Sequence, residues 1–244
     1  MKKLYEKSEI WFAVFWIILY TVSMTALRNL GDDSPFVPAG LAVICALMLL
    51  FVVRNGLTAY YCLKGWAENS RSMLWFLPLW IIAVCNLLSG IKPDYPLPGL
   101  IFAVLFMALV GFAEEMIFRG FLFKALLKDG SVTVAVVVSS VTFGLGHIVN
   151  LLSGHAPGEP LMQLAYAVAV GFVFTMAFYK GGSLLPCILA HSLIDVFAVL
   201  GNNEAPLWLD ITIHAVVIVM GIAYCLWLKN KKTPGVNVPE GKKA

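Results

Sequence analysis

Residues 97–127 read LPGLIFAVLFMALVGFAEEMIFRGFLFKALL, an apolar run into which Glu114, Glu115 and Arg119 are set, with Lys124 near its end. A charge held at membrane depth is costly, so a chain that keeps three such side chains close together has a use for them. The run also exceeds the about 20 residues that cross a ~30 Å hydrocarbon core. It is therefore expected to tilt, kink or end in an amphipathic turn.

The rest of the chain agrees with a membrane setting. Of 244 residues, 60% are hydrophobic and only 13% charged, and mean hydropathy is +0.86. That is too apolar for a soluble domain of this length. Apolar runs predict an all-α, polytopic membrane bundle of about eight transmembrane helices, over residues 10–28, 37–54, 73–91, 97–127, 132–150, 161–179, 184–200 and 208–228. If the N-terminus is cytoplasmic, only Arg28 and Lys92 among the 17 Lys and Arg residues fall outside, with Arg119 within the membrane. This bias predicts that both termini are cytoplasmic. The net charge of +3 then reports topology, and no nucleic-acid partner is expected.

Lys2 and Lys3 precede a first span without a small-residue cleavage site, so that span is read as a retained helix. Cys45, Cys62, Cys85, Cys187 and Cys225 have no CxxC spacing and read as small apolar packing residues. No linker or repeat divides the chain. One transmembrane domain is expected over residues 1–232, followed by a short solvated tail at 233–244.

Chemistry begins with spacing. Glu115 and Arg119 stand four apart on one helix face, where they can pair and cancel most of their desolvation cost. Glu114, turned about 100° away, is left free. A purely structural reading, an ion cluster joining two helices, accounts for these three residues but not for the polar groups elsewhere. Phe143-Gly144-Leu145-Gly146-His147 places an imidazole one turn after a phenylalanine, and His191-Ser192-Leu193-Ile194-Asp195 places a histidine and a carboxylate on one face. Counted from the predicted cytoplasmic ends, Glu114, His147, Asp195 and His191 lie at depths of roughly 21, 24, 21 and 15 Å at 1.5 Å per residue. All four can meet in one layer.

Glu, His, His and Asp in a water-accessible pocket suit two hydrolytic chemistries. In one, a divalent metal such as zinc is held by His147, His191 and a carboxylate, Asp195 or Glu114, while the other carboxylate takes a proton from bound water. In the other there is no metal. Glu114 is the general base on a water steered by His147, and His191 stabilises the oxyanion. The absence of HExxH, with the two histidines on different helices, favours water activation over a familiar zinc site.

Other polar and aromatic residues read more plainly. His155 is expected in a solvated loop, and His214 in a helix-to-helix hydrogen bond. Asn86 and Asn150 are candidates to line the pocket. Trp11, Trp16, Trp75, Trp80, Trp208 and Trp227 are expected at span ends or facing lipid. Gly111, Gly120, Gly144, Gly146 and Gly171 are expected to permit close helix packing.

Taken in order, EExxxR, FxxxH and HxxxD resemble the CPBP family of intramembrane endopeptidases, named for CAAX proteases and bacteriocin-processing enzymes. The resemblance covers about residues 97–200, and the string from Glu114 to Gly120 resembles the bacterial form. It implies a helical bundle in a cell membrane, a bacterial cytoplasmic membrane by motif style, that cleaves a peptide bond near the bilayer. Glu114 would be the base, His147 would position the water, and His191 with residue 195 would support the oxyanion. Glu115, Arg119 and Phe143 would support the site. The eukaryotic prenyl-protein enzymes carry Asn where this chain has Asp195, and an ionised aspartate cannot donate to an oxyanion. Asp195 must then orient His191, stay protonated, or bind a metal. The implied substrates are leader peptides, secreted signalling peptides, bacteriocin precursors or membrane-anchored proteins.

Two other classes compete with the peptidase reading. A proton-coupled transporter would also bury Glu, Asp, His and Arg, but paired halves with matching broken helices are absent from the sequence. A noncatalytic immunity or scaffold protein would bind a peptide without cutting it, which places no demand on a general base.

Overall fold

With apolar residues on every face, the helices of this chain are built to meet one another on one side and lipid on the other. A computed structural model describes residues 1–31, 33–63, 65–147, 158–202, 204, 206–231, 235 and 236. Asn150, His155 and most of the expected tail lie outside the described residues. The described residues form helices α1 (Lys2–Lys7), α2 (Glu9–Arg28), α3 (Phe36–Arg54), α4 (Leu77–Cys85), α5 (Leu97–Glu115), α6 (Lys124–Asp129), α7 (Val132–Leu145), α8 (Gly158–Gly181), α9 (Leu185–Leu200) and α10 (Leu207–Lys229). The fold is all-helical.

Five of the helices are long and apolar enough to cross a membrane: Glu9–Arg28, Phe36–Arg54, Leu97–Lys128, Met162–Gly181 and Leu207–Lys229. The other expected spans correspond to the shorter apolar helices Ser70–Cys85, Val132–Leu145 and Leu185–Leu200. The third departs most from expectation. A 3-10 turn at Ser70–Phe76 leads through left-handed Leu74, Trp75 and Phe76 into α4, which stops at Cys85 instead of 91. Pro78 at the helix start lacks the N–H an interior position would need, so α4 cannot extend backwards as a regular helix. The fifth ends its regular α-helix at Leu145, short of 150, and His147 sits in the short turn that follows.

The overlong fourth span contains a change in winding. Leu97–Lys128 is one run of 32 residues, about 48 Å at 1.5 Å per residue. Its stretch Met116–Phe123 is π-helical and wholly buried. A π segment is rare and often sits at a functional site. Here it begins immediately after Glu115, and Ser139 Oγ of α7 donates to its Phe118 carbonyl at 2.8 Å.

Side-chain and backbone contacts bind the two ends of the bundle. At one end Glu9 accepts from Lys128 Nζ at 2.6 Å and from the Tyr60 hydroxyl at 2.7 Å. At the other, Ile91 and Gly201 form an isolated antiparallel bridge, and Lys92 pairs with Glu204. The tryptophans divide. Trp11, Trp75 and Trp208 are exposed, whereas Trp16 is fully buried against Phe12 and Phe121, contrary to an interfacial placement. Its ring fills a core gap that its position in the sequence does not reveal.

Close approach between helices rests on three of the five glycines. A Cβ on Gly111 would stand 2.4 Å from the backbone N of Ser192, one on Gly144 2.2 Å from a Val168 methyl, and one on Gly171 2.8 Å from the Ser140 carbonyl. Gly120 and Gly146 meet no such neighbour, so the expectation for those two is not met. Gly111 matters most, because it lets α9 lie against α5, where Ser192 Oγ donates to the Ala108 carbonyl at 2.8 Å. Gly111→Leu is expected to cost roughly 1–3 kcal/mol by overpacking this seam, whereas Gly146→Ala is near neutral. Thermal unfolding of the two variants in detergent, side by side with wild type, checks the contrast.

Candidate active site

The site grows from one buried ion pair. Arg119 Nη1 donates to Glu115 Oε1 at 2.7 Å, the pairing that the four-residue spacing predicts, with both side chains 0% exposed. Arg119 Nη2 donates to the Gly171 carbonyl of α8 at 3.2 Å. The guanidinium carbon lies 4.2 Å from the centre of the Phe143 ring and 5.4 Å from that of Phe174, a cation–π arrangement that gains strength away from water. One cation thereby ties the π segment to α7 and α8.

Glu115 Oε1 also meets His191 Nδ1 of α9 at 2.9 Å. The His191 ring is clamped by a stacked Phe174 at 5.4 Å and by the edge of Phe143 at 5.5 Å. With Nδ1 held and the plane fixed, Nε2 is the free atom. It faces Asp195 Oδ2 at 3.5 Å and Glu114 Oε2 at 3.8 Å. Asp195 and Glu114 retain 21% and 14% side-chain exposure, while His191 keeps 5%. The open edge of the cluster is therefore the carboxylate edge.

His147, just beyond α7, is half-buried and packs edge-on against Phe143 at 5.6 Å. It lies within electrostatic range of Glu114, His191 and Arg28. Phe143 thus touches Arg119, His147 and His191 at once. Asn86 does not enter the cluster. Its Nδ2 donates to the Ile194 carbonyl at 2.8 Å, which fastens α9 beside Asp195. His214 is held within its own helix, by the Asp210 carbonyl at 2.8 Å, and not by a helix-to-helix hydrogen bond as expected. Its link to α8 is a ring contact with Tyr166 at 4.7 Å.

Two participants have no signal in the motif spacing. The Tyr20 hydroxyl of α2 donates to Glu114 Oε1 at 2.8 Å, and Phe174 stacks on His191. Tyr20 is 94 residues away in sequence and sits in a span rich in other aromatics. Phe174 is one apolar residue of an apolar helix.

Among the described residues, no group of three or more His, Cys, Asp and Glu side chains is arranged to hold a metal ion. His191 Nδ1 is taken by Glu115, Nε2 faces Asp195 and Glu114, and His147 packs against Phe143. The zinc option through Glu114, His147, His191 and Asp195 therefore does not fit this arrangement.

Fold and cluster define a class: a multi-pass helical membrane protein with an acidic, histidine-bearing site between its helices. The family model for Type II CAAX prenyl endopeptidase Rce1-like proteins matches residues 96–197, which bears out the resemblance read from the three motifs. That range contains Glu114, Glu115, Arg119, Phe143, His147, His191 and Asp195. The protein of Bacillus subtilis (strain 168) named "Putative membrane peptidase YdiL" is 25% identical over 197 residues, covering 78% of this chain and 67% of that one. No solved structure matches the chain.

Because Glu115 and Arg119 are both dry, removing Arg119 leaves a buried carboxylate with only the His191 ring to meet it. Arg119→Met is expected to destabilise the fold by about 3–5 kcal/mol, and Glu115→Gln combined with Arg119→Met to recover part of that loss. Unfolding midpoints of the two variants in detergent test the order.

Proposed function

We propose that the protein is an intramembrane endopeptidase that hydrolyses a peptide bond of a membrane-associated peptide or protein by water activation. The single observation that carries this reading is the unequal state of two adjacent carboxylates. Arg119 and His191 both hold Glu115 through Oε1, and its other oxygen is sealed from water, while Glu114 Oε2 is partly exposed and stands beside the fixed Nε2 of His191. A general base must have such a free oxygen within reach of water.

In this mechanism water sits between Glu114 and His147. Its oxygen attacks the scissile carbonyl carbon as its proton passes to Glu114 Oε2. The tetrahedral oxyanion is met by His191 Nε2–H. Since Nδ1–H is donated to Glu115, Nε2 carries a proton only in the imidazolium form, and the neighbouring carboxylates of Glu115 and Asp195 are the counter-charges for it. Collapse of the intermediate breaks the C–N bond, and the proton on Glu114 passes to the leaving amine. Asp195, an acceptor at 3.5 Å from Nε2, steers that N–H, while Glu115 orients the ring. No step passes through a metal.

The substrate class this reading carries is a leader peptide, secreted signalling peptide, bacteriocin precursor or membrane-anchored protein. It is cleaved by a single membrane domain whose termini face the cytoplasm of a bacterial cell.

Glu114→Gln keeps the shape of the side chain and removes the base. Proteolysis is expected to vanish, with the unfolding midpoint within a few degrees of wild type. Mass spectrometry of peptide and membrane-protein termini from cells expressing either form decides the matter. A neo-terminus confined to wild type supports cleavage and names the substrate. Identical termini together with rescue of a deletion phenotype by both forms would replace the peptidase with a binding or immunity role.

A further inference from the structure

Glu114 has two oxygens, and they are not equivalent. Oε1 accepts from the Tyr20 hydroxyl at 2.8 Å, while Oε2 faces His191 Nε2 at 3.8 Å. Tyr20 is 8% exposed and lies on α2, outside the matched residues 96–197. The groups facing Glu114 are Tyr20 from α2, His147 from beyond α7, and His191 and Asp195 from α9. The Tyr20 hydroxyl is the neighbour on α2, and α2 packs against the π segment that follows Glu115.

We infer that Tyr20 is a positioning residue for Glu114. Its hydroxyl pins Oε1 and so presents Oε2 to the water and to His191. The inference rests on the peptidase reading and deepens it, because it brings the first span into the catalytic apparatus. The physical ground is the freedom of the alternative. A glutamate has three side-chain torsions, and without a fixed donor on one oxygen its carboxylate can turn either oxygen, or neither, toward the substrate. A base misplaced by about 1 Å loses on the order of a hundredfold in rate. A packing role would need only the ring, whereas a positioning role needs the hydroxyl.

Tyr20→Phe keeps the ring and deletes that donor. Two measurements on the full-length protein in detergent are required. The first is a double-mutant cycle of thermal midpoints for Tyr20→Phe, Glu114→Gln and the pair together. The second is kcat and KM on a quenched fluorescent peptide built around the neo-terminus found only with wild type. The expected result is non-additive midpoints, with kcat lowered about 10- to 100-fold by Tyr20→Phe and KM within twofold of wild type. An unchanged kcat overturns the inference. So does a fall in kcat matched by a rise in KM or by additive midpoints, and so does failure of Tyr20→Phe to assemble, since each assigns the residue to structure alone. If wild type yields no neo-terminus, the peptidase reading itself has failed and the catalytic role of Tyr20 falls with it. Non-additive midpoints in that case would identify Tyr20–Glu114 as a structural contact.

Discussion

The polar cluster between the site helices is built on the dry pairing of Arg119 with Glu115. Neither charge has water, so each must be met by protein. The guanidinium is shared among a carboxylate, the Gly171 carbonyl and two aromatic faces, and the carboxylate between the guanidinium and an imidazole. Such a pair contributes less to stability than its Coulomb energy suggests, because desolvation offsets most of it. What it supplies is arrangement: four helical segments are obliged to converge where the charges are.

A buried π segment carries Arg119 into that convergence on one overlong helix. The change of winding falls directly after Glu115 within the Leu97–Lys128 run, in the stretch where Arg119 is buried and paired with Glu115. Glycine at 111 and 171 then lets α9 and α7 come near enough for short side chains to meet. The Ser192 hydroxyl of α9 donates to the Ala108 carbonyl of α5, and the Asn86 amide donates to the Ile194 carbonyl of α9, so that His191 and Asp195 are set by backbone contacts as much as by their own charges. Rigid elements with locked rotamers are what a reactive site requires.

Legibility in the sequence followed the range of the interactions. The Glu115–Arg119 pair and the His191–Asp195 face are four residues apart, and helical periodicity alone puts them together. The similar depth of Glu114, His147, His191 and Asp195 could be counted from the span ends, and His191 Nε2 does stand 3.8 Å from Glu114 on α5 and 3.5 Å from Asp195 on α9. Hydropathy failed where backbone chemistry intervenes. It extended the third span through Pro78 and past Asn86, and the fifth past Leu145, because it weighs side chains and not the hydrogen bonds a helix needs. The expectation of tryptophans at span ends or facing lipid likewise failed for Trp16, whose ring fills the core.

The sequence by itself determined the medium, the helical class, the identity of the charged groups and the local pairs, since each follows from composition or from a period of 3.6 residues. Only the tertiary structure decided that His191 is oriented through Nδ1 by Glu115, and that Tyr20 reaches Glu114 from a helix 94 residues away. Those are contacts between helices. Their partners are fixed by how apolar surfaces pack and by where glycine permits close approach, and no periodicity within a single helix encodes that.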